Sequence, residues 1–385
     1  GCDRPIHPLV LGASNAWFAR VLSSIAIPGA TTRIDQLVAE HWADLDPIES
    51  PAILTAFRRT PMLAAFSMYG DEALMQAIQR HRTPTASSDD PNDLRLPEWR
   101  VFTQFDQRRN TDDFRLRPVA TPARYAHIFE QVVLVERLRE VQTLTGFTRI
   151  DAPGEALEME DEGEQIRTIA PLSRQPAQWL PANEVFGEGV FLQFREEVIR
   201  TWLERPASVQ RARTFHEAHR RWCQVRAIDP DERPDPGMRY VLLHSFTHAL
   251  MRQMAMEAGY TAASIRERIY AREAGEIGGP MAGILLYTAA SDSEGTLGGL
   301  VKLGEPETLE RHIVAALENA ALCASDPTCA EHGPSDDGMS LHAAACHACL
   351  FAPETSCERG NRYLDRAVLV ETFAQADLAF FAATL

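Results

Sequence analysis

The chain has 385 residues, of which 45% are hydrophobic and 24% charged, enough for two or three domains with hydrophobic cores. This composition excludes fibrous, collagen-like and wholly disordered proteins, and no apolar run approaches the roughly 18 residues of a membrane span. A net charge of −16 argues against a surface that binds nucleic acid throughout, although it allows a local basic face. The chain begins at Gly1 without Met or an apolar signal region, which predicts a cytoplasmic fragment of a longer protein whose upstream part is missing.

The first half of the sequence predicts helices separated by polar loops. Helical patterns cover residues 34–41 and 71–82, and residues 83–97 are rich in Pro, Ser, Asp and Asn, as is typical of a long loop. Residues 124–143 predict another helix, because apolar side chains recur there at spacings of three and four, at Ile128, Val132, Val135 and Leu138. Residues 151–164 hold seven acids and no base, which predicts a solvated loop or a shield over a basic surface.

The second half mixes strands and helices. Residues 186–192 predict a strand bounded by glycines, residues 195–226 a basic helical stretch, and residues 240–259 a helix that ends at Gly259. The remaining predicted elements are helices over 264–272, 307–322 and 361–376 and a strand over 281–288.

These elements predict an α+β protein, a mixed helical and sheet chain of several domains. A Pro-rich linker over 229–237 suggests a soft boundary. We therefore predict a mixed α/β region over 1–185, a basic helical connector over 186–239, and a zinc-stabilised C-terminal domain over 240–385.

The strongest motif is a set of five cysteines in a loop-rich stretch, namely Cys323, Cys329, Cys346, Cys349 and Cys357. A long chain without a signal region favours metal over disulfides. The Cys-x2-Cys pair at 346 and 349 can reach one Zn²⁺ from a tight turn, and Cys323, Cys329 and Cys357 compete for the two remaining positions. Four thiolates leave no open coordination position, so we expect a structural zinc site, with one of those three cysteines outside it.

A catalytic site is the alternative. His244 and His248 lie four residues apart on the predicted helix, opposite its apolar stripe, and could join Asp292 in a hydrolase or nuclease. They lack the Glu of a His-Glu-x2-His motif, however, so polar residues at a domain or partner interface are the preferred interpretation. No nucleotide-binding motif is present in the sequence.

The basic stretch over 195–226 contains eight arginines and interleaved aromatic residues, a pattern that can contact nucleic-acid phosphates and bases. We predict a nucleic-acid or partner surface at Arg211, Arg213, Arg220 and Arg221. A solvated amphipathic helix would explain the same residues, and the signal is weakened because Lys302 is the only lysine, as expected from a GC-rich bacterial genome. A stand-alone DNA-binding module is therefore a further alternative.

Several segments together resemble a known family. They include GASNAWFARVLSSIAIP (12–28), FGEGVFLQF (186–194), YVLLHSFTHALMRQMAMEAGYTAASIRERIY (240–270), AGILLYTAASDSEGTLGGLVKLGEPE (282–307), SDPTC (325–329) and ACHACLFAPETSCERGNRYLDR (345–366). The C-terminal part resembles the zinc-binding domain of MrfA-type helicases, and the whole chain resembles the DrmB family, the accessory proteins of the DISARM anti-phage defence system.

The resemblance implies a non-enzymatic partner of the helicase DrmA, in a complex that engages incoming phage DNA. It also implies that Cys323, Cys329, Cys346, Cys349 and Cys357 are the family's zinc cysteines. The resemblance implies neither membrane association nor a small-molecule substrate.

Overall fold

A computed structural model describes residues 18–28, 33–58, 60–82, 93–148, 170–175, 177–226, 228–231, 233–259, 262–288, 299–334 and 340–381. The strands are β1 (Phe18–Ile25), β2 (Arg115–Val119), β3 (Phe129–Thr148), β4 (Ala170–Pro171), β5 (Ala182–Phe194), β6 (Ile265–Arg272) and β7 (Met281–Thr288). The helices are α1 (Arg33–Glu40), α2 (Trp42–Leu45), α3 (Pro51–Phe57), α4 (Asp71–Arg82), α5 (Arg95–Thr103), α6 (Glu196–Leu203), α7 (Pro206–Arg226), α8 (Gly237–Ala258), α9 (Gly299–Leu303), α10 (Pro306–Ala321) and α11 (Thr328–Glu331).

One antiparallel sheet organises most of the chain. Its strand order is β1-β3-β5-β7-β6, and β2 and β4 also pair with β3. The long strand β3 pairs with β2 along its first half and with β1 along its second half, while β5 lies on its other side. Helices and an antiparallel sheet in one chain confirm the α+β prediction, and the strands predicted over 186–192 and 281–288 are confirmed as β5 and β7.

The helix predicted over residues 124–143 is wrong, because β3 occupies most of that range. Val132, Val133, Leu134 and Val135 are all buried. A central strand covered on both faces has no alternation of polar and apolar residues, so its run of apolar residues can mimic helical spacing. The high content of β-branched valine, which favours strands, was the overlooked signal.

The helix predicted over residues 264–272 is also wrong, since these residues form β6. Its charged residues include Glu267 and Arg268, and both are buried. Arg268 forms an ion pair with Glu98 of α5, and Glu267 faces the histidines of α8. Because these charged residues are buried against partners from distant parts of the chain, β6 lacks the alternation of polar and apolar residues by which a strand is normally predicted.

Helix α8 lies against the sheet and confirms the helix predicted over 240–259. It contacts β6 and β7, and Gly259 caps it in the left-handed conformation with φ of +67°. Phe246 packs against Phe129 of β3 and Phe194 of β5. The opposite side of α8 contacts the C-terminal segment, where Arg252 donates hydrogen bonds to the carbonyls of Phe351 and Ala348. Helices α6 and α7 confirm the helical pattern over 195–226, and α10 confirms the helix predicted over 307–322.

The helix predicted over residues 361–376 is wrong. This stretch holds turns and a short 3-10 helix, Arg366–Val368. Asn361 and Tyr363 have φ of 62° and 58°, which a right-handed helix does not allow. The Asn361 side chain instead bonds both the backbone N–H and the carbonyl of Ala352, at 2.9 Å each. This local pairing replaces the helical hydrogen bonds.

The chain divides into two compact units: Ile27–Leu96 is one, and Gly1–Ala26 together with Pro97–Leu385 is the other. The smaller unit contains α1 and α4, which confirm the helices predicted over 34–41 and 71–82, and its buried core includes Val38, Leu54, Phe66 and Ile78. The larger unit contains the whole sheet, and the domain boundaries predicted at residues 185 and 239 both lie within it.

Two predicted loops lie largely or wholly outside the described residues. These are the acidic stretch over 151–164 and most of the loop predicted over 83–97, within which α5 begins at Arg95. Among the described residues, no helix is both long enough and apolar enough to cross a membrane.

Candidate metal centre

Four of the five predicted cysteines meet in one cluster, which we call the four-cysteine cluster: Cys323, Cys329, Cys346 and Cys349. Cys323 follows the end of α10, Cys329 lies in α11, and the other two come from the Cys-x2-Cys turn. In that turn the carbonyl of Cys346 accepts hydrogen bonds from the backbone N–H groups of Cys349 and Leu350, at 3.1 and 3.0 Å. The tight turn brings its two thiols to the same side, as the two-residue spacing predicted.

The sulfur positions suit a tetrahedral ion. Sγ of Cys346 lies 3.5 Å from Sγ of Cys323 and 3.8 Å from Sγ of Cys349. Sγ of Cys329 lies 3.7 Å from Sγ of Cys349. Zinc with Zn–S bonds of about 2.3 Å sets neighbouring sulfurs about 3.8 Å apart, so the four thiols fit Zn²⁺ as they stand.

Asp326 and Arg366 hold the loop that carries the first two cysteines. The Asp326 carboxylate accepts hydrogen bonds from the backbone N–H groups of Cys323 at 2.9 Å and Ala330 at 3.1 Å. Arg366 is fully buried, forms an ion pair with Asp326, and donates to the carbonyls of Ala320 and Ala321 at the end of α10. A buried guanidinium also offsets the negative charge that four thiolates around one divalent ion would carry.

The thiols differ in their tendency to ionise. Burial raises the pKa of Cys329 to about 11 and also raises the pKa of Cys349. Burial opposes ionisation of Cys346 too, but a hydrogen bond from the Ala348 backbone and bonds from the other thiols outweigh it and lower the pKa of Cys346 to about 7. Four crowded thiols do not all ionise by themselves, whereas a divalent cation favours the thiolate form of each.

Cys357 lies outside this cluster, and the structure places it in a second group, which we call the buried mixed cluster: His244, His248, Glu267 and Cys357. The two histidines come from successive turns of α8, and Glu267 comes from β6. Nε2 of His244 lies 3.1 Å from Sγ of Cys357 and 3.0 Å from Oε1 of Glu267. Sequence reasoning found the histidine pair and the cysteine separately and missed Glu267, since a carboxylate in a segment predicted as a helix gave no signal of burial.

Burial and the neighbouring side chains together shift the pKa values of the ionisable groups in the buried mixed cluster. Burial alone would raise the pKa of Glu267, but the imidazoles of His244 and His248 outweigh it and hold that pKa well below its ordinary value. Burial lowers the pKa of His244, and burial together with the Glu267 carboxylate raises the pKa of Cys357 well above its ordinary value. The carboxylate is thus the anionic centre of this group.

The predicted basic surface is divided by the fold. Arg211 is mostly buried and pairs with the fully buried Asp365, at 3.2 Å between Nε and Oδ2. Arg213 and Arg220 are exposed, and Arg221 is half-buried. Arg220 and Arg221 line a depression of about 550 Å³ together with Glu217, Gln224, Ile228 and Pro230. The fold thus leaves Arg213 and Arg220 at the surface, whereas Arg211 contacts the C-terminal segment through Asp365.

Two of the three residues of the alternative catalytic set lie within the described part of the chain. His244 and His248 have no exposed surface, and Asp292 lies outside the described residues.

Comparisons with known proteins place these sites in context. Residues 246–350, which include the whole four-cysteine cluster, match the family model of the MrfA Zn-binding domain. A curated relative, the DISARM protein DrmB of Bacillus paralicheniformis, is 34% identical over 389 aligned residues, covering 99% of this chain and 67% of the relative. A solved structure, the DUF1998 helicase MrfA bound to DNA, matches with 11% identity and a TM-score of 0.25 over 58% of this chain and 22% of that chain.

Proposed function

This chain belongs to the DrmB family of DISARM proteins, and from that premise we propose that it is a non-catalytic subunit that pairs with the helicase DrmA and engages phage DNA in the bacterial cytoplasm. The observation that carries the proposal is the likeness to a DISARM DrmB protein along 99% of the chain. We further propose that the four-cysteine cluster holds one structural zinc ion.

The geometry of the four-cysteine cluster supports a structural role. Its four sulfurs already supply the full tetrahedral coordination of zinc, and a catalytic zinc needs an open position for water or substrate. Three of the four cysteines are buried, and Cys346 is half-buried. The ion would join the end of α10, α11 and the Cys-x2-Cys turn.

Helix α7 supports a role in contacting DNA or the helicase. Arg213 and Arg220 point outward, and the depression beside Arg220 and Arg221 is open to a partner. In a chain of net charge −16, such a local basic face would direct an anionic ligand to one surface. Arg211 would act indirectly, through its ion pair with Asp365.

Co-purification with DrmA and zinc quantitation test the pairing and the metal. We expect a stable complex in which this protein carries at least one tightly bound zinc, and we expect Cys346→Ser to lower the zinc content. Cys223→Ser is the matched control, because Cys223 is a buried thiol outside both clusters. Separate elution of the two proteins, or protein that folds without zinc, would contradict the proposal.

Charge reversal tests the DNA surface. We expect the double variant Arg220→Glu, Arg221→Glu to weaken DNA binding by the complex on the order of tenfold or more at low salt and to reduce its salt dependence. The control is Arg108→Glu, Arg109→Glu, an adjacent arginine pair elsewhere on the chain. Unchanged DrmA assembly and unchanged DNA affinity in the α7 variant would rule out this surface. Equal DNA binding with and without DrmA would favour a stand-alone DNA-binding module.

A further inference from the structure

We propose that the buried mixed cluster is a second metal site, in which His244, His248, Glu267 and Cys357 bind one Zn²⁺. This proposal is independent of the proposed function, since it concerns a different set of ligands and makes no use of DNA or a helicase.

The four side chains converge from three separate parts of the fold. His244 and His248 lie one turn apart on α8, Glu267 projects from β6, and Cys357 follows the Cys-x2-Cys turn. Their exposed fractions are 0%, 0%, 3% and 9%. Four groups of this polarity are rarely buried together unless something binds them, because each loses its hydration.

The spacing of their ligand atoms suits a single ion. One ligand atom from each residue lies within 4.8 Å of the other three. Nε2 of His248 lies 3.3 Å from Oε2 of Glu267, and Nε2 of His244 lies at similar distances from Glu267 and Cys357. Zinc bonds of about 2.0–2.3 Å to nitrogen, oxygen and sulfur require separations of about 3.3–3.8 Å in a tetrahedron, so small adjustments complete the site.

The outer nitrogens of both histidines show how the rings are oriented. Nδ1 of His248 lies 2.8 Å from the carbonyl of Leu350, and Nδ1 of His244 lies 3.3 Å from the carbonyl of Tyr363. A carbonyl only accepts, so each Nδ1 must carry the hydrogen, and in a neutral ring each Nε2 then presents a lone pair to the cluster. This is the arrangement of metal-binding histidines, whose second nitrogen donates to a carbonyl or carboxylate.

Backbone N–H groups support the two anionic ligands in the same way. Oε1 of Glu267 accepts from the backbone of Glu358 at 2.9 Å, and Sγ of Cys357 accepts from the backbone of Asn361 at 3.2 Å. Hydrogen bonds to a carboxylate and a thiolate favour their charged forms and fix their direction.

Within the buried mixed cluster, two buried atoms lack a hydrogen bond to any described residue: Nε2 of His248 and Oε2 of Glu267. They face one another at 3.3 Å, and both are acceptors when the histidine is neutral. Unpaired buried polar atoms are uncommon and call for a missing partner. A cation between them would satisfy both.

A divalent ion also balances the charges of the cluster. Two protonated histidines and one carboxylate would leave a net positive charge in a site without solvent, with imidazole ring centres only 4.5 Å apart. Zn²⁺ with neutral histidines, a carboxylate and a thiolate is electrically neutral, and the thiol proton of Cys357 leaves to solvent on binding. A set of nitrogen, oxygen and sulfur ligands suits zinc, whereas Mg²⁺ and Ca²⁺ prefer sites made of oxygen ligands.

The proposal can be tested without any substitution. The purified protein is reconstituted with Zn²⁺ and passed through gel filtration, and its metal content and X-ray absorption spectrum are then measured. We expect two zinc ions per chain, with five sulfur and three nitrogen or oxygen ligands shared between them. One zinc with an all-sulfur shell would overturn the second site while leaving the four-cysteine cluster intact. One zinc with one sulfur and three nitrogen or oxygen ligands would instead overturn the four-cysteine cluster.

Single substitutions then show which residues bind which zinc ion. We expect Glu267→Gln and Cys357→Ser each to lower the content from two zincs to one and to leave a shell of four sulfurs. Cys349→Ser should remove the all-sulfur component, and Cys223→Ser should retain both ions. Two zincs in both Glu267→Gln and Cys357→Ser would contradict the assignment. If either variant does not fold, the absorption spectrum of the unmodified protein still decides the outcome.

Discussion

The four-cysteine cluster and the buried mixed cluster both use cysteines of the C-terminal segment but are built by different means. All four thiols of the first lie between residues 323 and 349, and one of them is half-buried. The second joins residues separated by up to 113 positions, and its side chains are almost wholly enclosed by α8, β6 and the C-terminal segment. The first cluster thus organises loops, whereas the second depends on a fold that is already assembled.

The segment between the Cys-x2-Cys turn and Asn361 connects the two clusters. Leu350 donates its backbone N–H to Cys346 and accepts a hydrogen bond from His248 through its carbonyl. Cys349 and Cys357 lie eight residues apart on this segment. Loss of one cluster should therefore disturb the other, and the size of that disturbance measures how far they are coupled.

The largest expected effect is the loss of a thiolate from the four-cysteine cluster. We predict that Cys349→Ser destabilises the protein by several kcal/mol, because structural zinc contributes apparent free energies on the order of 10 kcal/mol in small domains. Chemical denaturation with parallel zinc quantitation measures this effect. A variant as stable as Cys223→Ser would show that this cluster does not need metal.

Substitution of Arg366 tests how much the residues around the four-cysteine cluster contribute to the stability of the protein. We predict that Arg366→Met lowers the free energy of unfolding by about 3 kcal/mol, because it leaves the carbonyls of Ala320 and Ala321 and the Asp326 carboxylate without their cationic partner. Asp326→Asn, which keeps the shape of the side chain, should cost about 1 kcal/mol. Equal costs for both variants would show that the Arg366–Asp326 ion pair accounts for the stabilisation and that the guanidinium's bonds to Ala320 and Ala321 add little.

Asn361 offers the equivalent test beside the buried mixed cluster. Asn361→Gly loses the two hydrogen bonds to Ala352 and should cost about 2 kcal/mol, since both partners are part-buried backbone groups. Asn361→Ala should cost about 1 kcal/mol more, because alanine is disfavoured at φ of 62° and glycine is not. Urea denaturation of the two variants separates these contributions. An alanine variant more stable than the glycine variant would contradict the backbone argument.

The smallest expected effect is a pH dependence at the edge of the buried mixed cluster. Nε2 of His219 lies 2.7 Å from the carbonyl of Arg233, and Nδ1 lies 2.6 Å from the hydroxyl of Tyr363, whose carbonyl bonds His244. Burial lowers the pKa of His219 below its ordinary value of 6.5, so the unfolded chain binds a proton first as the pH falls. Stability contributed by neutral His219 is therefore present above about pH 6.5 and decreases below it.

Denaturation of wild type and His219→Gln at about pH 7.5 and about pH 5.5 measures this contribution. We predict a smaller loss of stability on acidification in the variant. Equal losses in both proteins would show that His219 does not contribute to the acid sensitivity.

The sequence by itself determined the features that depend on neighbouring residues. The Cys-x2-Cys turn, helix α8 with its stop at Gly259, and the strand β7 follow from short-range spacing and turn chemistry, and the structure bears out each of them. The expectation that one of Cys323, Cys329 and Cys357 lies apart from the other cysteines followed from the four positions around zinc. Which of them it is did not follow.

Only the tertiary structure decided the rest, because it depends on partners far apart in the chain. β3 and β6 read as helices in the sequence, since burial on both faces and paired internal charges remove the alternation typical of strands. Glu267 reaches the two histidines only because β6 lies beside α8. Cys357 lies apart from the other cysteines and beside His244, and its Sγ accepts a hydrogen bond from the backbone N–H of Asn361. Spacing along the chain defines a local metal motif, but a site shared by a helix, a strand and a distant loop exists only once the sheet has formed.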